Sequence, residues 1–159
     1  MNATQFENVK SVLVVLSSKA MSYDMPALRS LITHSYPGAA VFFISTSGDA
    51  MGAKAPEKID LVIDFTQPGA RQAWGFARKM KSRSRFTVGR KAGLFFRKSS
   101  YTRILDEAKE KNAGKLPQDY LESEAWAQKK VLELAGVPVV KQGGVGQDRG
   151  KDIAFEKTR

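Results

Sequence analysis

A chain of 159 residues with 42% apolar and 26% charged side chains has the make-up of one soluble globular domain, long enough to bury about two thirds of the surface its unfolded form exposes. It has no cysteine and a single histidine, His34, which excludes disulfides, thiolate zinc sites and a cysteine nucleophile. The same two counts leave no His-rich metal site and argue against a Ser-His-Asp triad; no metal is expected.

Residues Met1 to Lys10 carry no apolar segment behind a basic start, so no signal peptide is expected. The chain therefore divides into an N-terminal extension (1–9), one α/β domain (10–141) and a flexible polar tail (142–159). Ser11 to Leu16 is a short, Val-rich apolar run of the kind covered on both faces of a parallel sheet. After a polar break, Asp24 suits the N-cap of a helix with Met25 and Pro26 in its first turn. Leu28, Leu31, Ile32 and Tyr36 give that helix an apolar stripe, and Pro37-Gly38 ends it. Ala40 to Ser45 follows as a second strand, completing a strand–helix–strand unit.

Ser45 to Pro56 is small and polar and reads as a loop, and Ile59 to Phe65 is a third strand. A helix is expected from about Arg71 to Lys81, a short strand over Phe86 to Gly89, and a basic loop over Arg90 to Arg103. Asp119 to Ala135 is the clearest helix, with Tyr120, Leu121, Ala125, Ala127, Val131, Leu132 and Ala135 on one side and Gly136 as its cap. These elements sum to a three-layer Rossmann-like α/β domain on a mainly parallel sheet, with ligands expected at the C-terminal ends of the strands. The longest apolar runs, Val12–Leu16 and Ala39–Ile44, are far short of the roughly 20 residues that cross a membrane, so no transmembrane segment is expected.

Charge is the strongest functional signal. Forty residues from Thr66 to Leu105 hold eleven basic side chains and no acidic one, while acids and bases nearly balance elsewhere, so the whole formal charge of +10 falls in one segment. Surplus of this kind reads as a surface for an anionic partner. Phosphate, a lipid head group and RNA all remain open as its ligand, and Phe86, Phe95, Phe96 and Tyr101 interleave with the basic residues where they either stack bases or fill the core. The turn Ser17-Ser18-Lys19-Ala20-Met21 has no glycine, so neither a dinucleotide fingerprint nor a phosphate loop is present and no cofactor is expected. Two hydroxyls and a lysine at a strand end still suit an anion, although an ordinary polar connection is the simpler account. Asp60 and Asp64 flank the third strand and are read first as structural carboxylates that bond nearby backbone amides. Asp24 is the one acid placed to act as a base in the first connection, with helix capping the simpler role.

Four stretches at matching separations give the chain a further likeness. Val12-Leu-Val-Val-Leu-Ser-Ser18 with Met25-Pro-Ala-Leu-Arg29, His34-Ser-Tyr-Pro37, Ile59-Asp-Leu-Val-Ile-Asp64, and Phe86-Thr-Val-Gly-Arg-Lys91 through Tyr101-Thr-Arg103 resemble the N-terminal half of the lipopolysaccharide heptosyltransferases. Leu134-Ala-Gly-Val-Pro138 is similar to the end of the helix that closes that half. The resemblance spans about residues 10 to 140 and implies one half of a GT-B glycosyltransferase, the half that receives an acidic glycolipid acceptor. It implies anion contacts at Lys19, Arg71, Arg90, Lys91 and Arg97, and Ser17, Ser18, Tyr101 and Arg103 complete the candidate ligand set. The family's turn carries Leu-Gly-Asp with a catalytic aspartate, whereas Lys19-Ala20-Met21 stands here and leaves Asp24 as a displaced substitute. With the donor-binding half also missing from these residues, the expectation is a stand-alone, non-catalytic acceptor domain that binds an anionic glycolipid or an anionic protein partner. The rivals are a subunit of a split glycosyltransferase completed by a donor-domain chain, and a nucleic-acid or ribonucleoprotein module; a homo-oligomer is open in each case. The implied location is the cytoplasm, free or peripheral at the inner membrane.

Overall fold

The computed structural model of the protein describes residues 4–16, 21–45, 50–66, 83–91, 101–139 and 155–157. Strand β1, Ser11–Leu16, leads to a three-residue strand β2, Met21–Tyr23, and to helix α1, Met25–Ser35. Strands β3 (Ala40–Ser45), β4 (Ile59–Asp64), β5 (Ser84–Lys91) and β6 (Arg103–Asp106) follow. Helices α2 (Glu107–Asn112) and α3 (Tyr120–Leu134) come next, and β7, Phe155–Lys157, is last.

Five strands make one all-parallel sheet in the order β3-β1-β4-β5-β6. Numbered among themselves they run 2-1-3-4-5, which is the order of a Rossmann-like, doubly wound α/β domain. The inner strand β1 shows why the sequence commits to this. Val12, Leu13, Val14 and Val15 are all 0% exposed, so an unbroken apolar run is what a strand covered on both faces requires.

Alternation along the strands separates two apolar clusters. Val12, Val14, Val41, Phe43, Leu61, Ile63, Phe65 and Val88 pack with Leu28 and Ile32 of α1 and Ala127, Val131 and Leu132 of α3. Leu13, Val15, Ile44 and Val62 pack on the opposite face, with Phe42 and Ala55 against them. Both long described helices therefore cover the same side of the sheet. The Asp24 side chain accepts from the Ala27 amide at 3.0 Å, the cap that the sequence assigns to it, and Pro26 sits in the first turn. Gly38 takes a positive φ of 82° just past the helix end.

Four expectations change. The strand expected over Phe86 to Gly89 extends over Ser84–Lys91, and Ile104-Leu105, just past the expected loop, form the core of an unexpected strand β6. The inward stripe of α3 includes Glu124 and Gln128, both buried, while Tyr120 is exposed. Phe155–Lys157, in the expected flexible tail, pairs antiparallel with β2. The helix expected from about Arg71 to Lys81 and most of the basic loop lie outside the described residues.

Candidate functional site

Because all five strands run the same way, their C-terminal residues Leu16, Ser45, Asp64, Lys91 and Asp106 share one edge. The chain order reverses between β1 and β4, and ligands of doubly wound sheets bind in the crevice at that edge. Asp64 stands there, 2% exposed. Its Oδ1 accepts from the Thr66 amide at 2.8 Å, and its Oδ2 accepts from the Tyr101 hydroxyl at 2.7 Å. The Tyr101 ring lies across Gly89 of β5, where a Cβ would stand 2.2 Å from Cε1, so a glycine in mid-strand is what admits the ring. Tyr101 is thus a buried partner of Asp64 instead of an exposed ligand contact. Asp64 bonds a backbone amide, as read from the sequence. The buried Thr66 Oγ1 has no partner among the described residues.

Arg90, two residues beyond Val88, lies on the same side of β5 and is directed into the core, 1% exposed. Its Nε and Nη2 donate to Glu107 at 2.9 Å each, and its Nη1 and Nη2 donate to Glu124 at 2.8 and 2.9 Å. The Phe65 carbonyl accepts a further bond from Nη1 at 3.3 Å. Burial alone would lower the Arg90 pKa, but the hydrogen bonds and charges of Glu124 and Glu107 outweigh it and hold the guanidinium protonated. This corrects the sequence-based assignment: Arg90 joins β4, β5, α2 and α3, and presents no charge to a ligand.

The remaining described arginines of the basic segment lie at the opposite, N-terminal edge. Arg83 donates to the Pro56 and Glu57 carbonyls, and Arg85 to the Asn8 carbonyl at 2.9 Å, with Asp60 3.6 Å away. Arg103 donates to the Thr4 and Leu134 carbonyls at 2.6 and 2.8 Å, and its guanidinium lies 3.9 Å from the Phe6 ring centre. A cation at the last carbonyls of α3 complements that helix end. Arg103 is therefore also withdrawn from the candidate ligand set. The N-terminal extension is docked by the same group: Phe6 stacks on Phe86 at 4.3 Å, and the Tyr36 hydroxyl accepts from the Phe6 amide while donating to the Ala135 carbonyl. Burial raises the Tyr36 pKa, against the lowering effects of the Phe6 amide and the Arg103 charge.

Asp60 performs the structural role read from the sequence. Its Oδ2 accepts from the Lys10 and Ser11 amides at 2.8 and 3.2 Å, and its own amide donates to Ser11 Oγ at 3.0 Å. Of the other candidate residues, Lys91 ends β5 at the C-terminal edge, and Asp24 sits between β2 and α1 as a cap. Ser17, Ser18, Lys19, Arg71 and Arg97 lie outside the described residues. His34 is exposed in the last turn of α1.

Glu107 and Glu124 escaped sequence reasoning. One signal was available: Glu124 and Gln128 flank Ala127 one turn apart on the stripe of α3, which leaves an acid on a buried face in need of a cation. Among the described residues, no group of three or more His, Asp or Glu side chains is placed to hold a metal ion, and no helix is long and apolar enough to cross a membrane.

Strand order and direction define a Rossmann-like α/β domain. Comparison with family models, with curated proteins and with solved structures finds no match.

Proposed function

We propose that the chain is a heptosyltransferase-like acceptor domain that binds an anionic glycolipid at the C-terminal edge of its sheet. The observation that supports this best is the strand direction. It sets the C-terminal residues Leu16, Asp64 and Lys91 of β1, β4 and β5 on one edge, while Arg83, Arg85 and Arg103 bond carbonyls at the other. With Arg90 and Arg103 engaged elsewhere, Lys19, Arg71, Lys91 and Arg97 are the cations proposed to meet the ligand. The role is binding: Asp24 engages a carboxylate oxygen in the α1 cap, and no catalytic step is assigned to it.

Titration of the protein with a phosphorylated lipid A–core glycolipid tests this. The Lys19→Glu, Lys91→Glu double variant should bind about tenfold more weakly or worse, since a hydrogen bond to a charged group contributes about 1.5–3 kcal/mol. Lys58→Glu, an exposed change just before β4 at the other edge, should bind like the parent. Equal affinity of the double variant, or no binding by the parent, would remove the proposal.

A further inference from the structure

Thr66 carries a buried hydroxyl that the hydrogen bonding of the sheet does not use. Strand β4 ends at Asp64, and the Phe65 amide still donates to the Val15 carbonyl of β1 at 3.0 Å. Thr66 comes next, at the edge where the chain order reverses between β1 and β4. It is 4% exposed, and its amide donates to Asp64 Oδ1 at 2.8 Å. Its Oγ1 has no hydrogen-bond partner among the described residues. Elsewhere the chain engages its threonine hydroxyls. Thr33 donates to the Arg29 carbonyl at 2.8 Å, and Thr87 and Thr102 each accept from the other's amide.

An unpaired buried hydroxyl costs free energy that valine, of nearly the same shape, would not. Its place, at the edge where doubly wound domains bind their ligands, points to use by a ligand group. The chemistry of that group follows from the neighbours of Thr66. The Asp64 side chain is buried beside it, bonded to the Thr66 amide and to the Tyr101 hydroxyl. A phosphate brought to Thr66 would meet that carboxylate where solvent screens repulsion poorly. A neutral hydroxyl both donates and accepts, and meets no such repulsion. Tyr101, seated against Gly89, positions the carboxylate and takes no part in the contact itself.

We infer that the Thr66 hydroxyl bonds a sugar hydroxyl of the glycolipid beside Asp64, and that the ligand's phosphates lie away from it. The inference rests on the proposed function for its ligand and on the unpaired hydroxyl for its place. Thr66 is then a specificity-determining residue, because a site built to bond a hydroxyl discriminates against a ligand that lacks one.

Three variants test it: Thr66→Val and Thr66→Ala, which remove the hydroxyl, and Thr66→Ser, which keeps it. Affinity is measured for the phosphorylated lipid A–core glycolipid and for the same glycolipid stripped of its phosphates. Urea midpoints are measured without ligand. The valine and alanine variants should bind both forms about tenfold more weakly, with most of the parent affinity kept by serine. The urea midpoint of Thr66→Val should equal or exceed the parent's, because no hydroxyl is left unpaired there. Parent-like affinity in Thr66→Val would overturn the inference and leave the proposed function standing. So would a loss that follows the urea midpoint instead of the hydroxyl, or one confined to the phosphorylated form, which would put a phosphate at Thr66. Failure of the parent to bind the phosphate-free form would overturn it as well. Failure of the parent to bind either form would remove the proposed function with it.

Discussion

Arg90 is the residue on which four elements converge, and its environment gives the sharpest prediction. Arg90→Met should leave Glu107 and Glu124 buried without their cation and cost about 3–5 kcal/mol, read as a fall in the urea midpoint. Replacing both acids as well, in Arg90→Met, Glu107→Leu, Glu124→Leu, should recover most of that loss, because the uncompensated charges go with it. At the opposite edge, Asp60 sets a pH dependence. The Lys10 amide bond leads the lowering of its pKa; burial opposes it, and the Ser11 amide and Arg85 add to it. Since the folded value lies below the unfolded one of about 3.9, the unfolded state binds more protons as Asp60 titrates. The contribution of Asp60 is therefore fully present at neutral pH and disappears as the pH falls through the depressed folded value. The stability gap between parent and Asp60→Asn, about 1–2 kcal/mol for two backbone bonds, should close in acid and stay constant above about pH 5. The Arg85 pair adds little, with that side chain 48% exposed. A gap independent of pH would show that the carboxylate charge is not what holds β1 to β4.

Among the elements, β5 and β6 depend on one close approach. Gly89→Ala would set a methyl group into the Tyr101 ring and push the Tyr101 hydroxyl away from Asp64. A loss of about 1–3 kcal/mol is expected from that overpacking, with a change in the near-ultraviolet signal of the tyrosine. Tyr101→Phe, which keeps the ring and drops only the hydroxyl, should cost less, about 1 kcal/mol. The strands that were legible in sequence are the ones with continuous apolar runs, β1, β3 and β4, and α1 was legible through Asp24, Pro26 and Pro37-Gly38. The four-residue β6 was not, because Arg103 and Asp106 bracket just two apolar residues and charge patterning suggested a loop. The inner face of α3 was legible at Ala127, Val131, Leu132 and Ala135 but not at Glu124 and Gln128, polar residues on the same stripe of which Glu124 meets the buried Arg90. β2 and β7 carry no periodicity at three residues each, and their pairing is a tertiary event invisible to local pattern.

For the whole molecule, the sequence located the positive charge in one segment correctly, but a run of residues is not a surface. A parallel strand carries its two ends to opposite edges, so Arg83 and Arg85 leave at one edge, Lys91 at the other, and Arg90 goes inward. The fold class followed from hydrophobic pattern alone because burial on both faces imposes one on every central strand. The site did not, because the direction of each side chain depends on register. The central claim is that the ligand meets the C-terminal edge and no other surface. Backbone amide shifts recorded while the phosphorylated lipid A–core glycolipid is added to the full chain test this most directly. The account predicts the largest changes at Leu16, Asp64, Thr66 and Lys91, with Lys10, Arg85 and Arg103 unmoved; the reverse pattern, with changes centred on those last three, would contradict it.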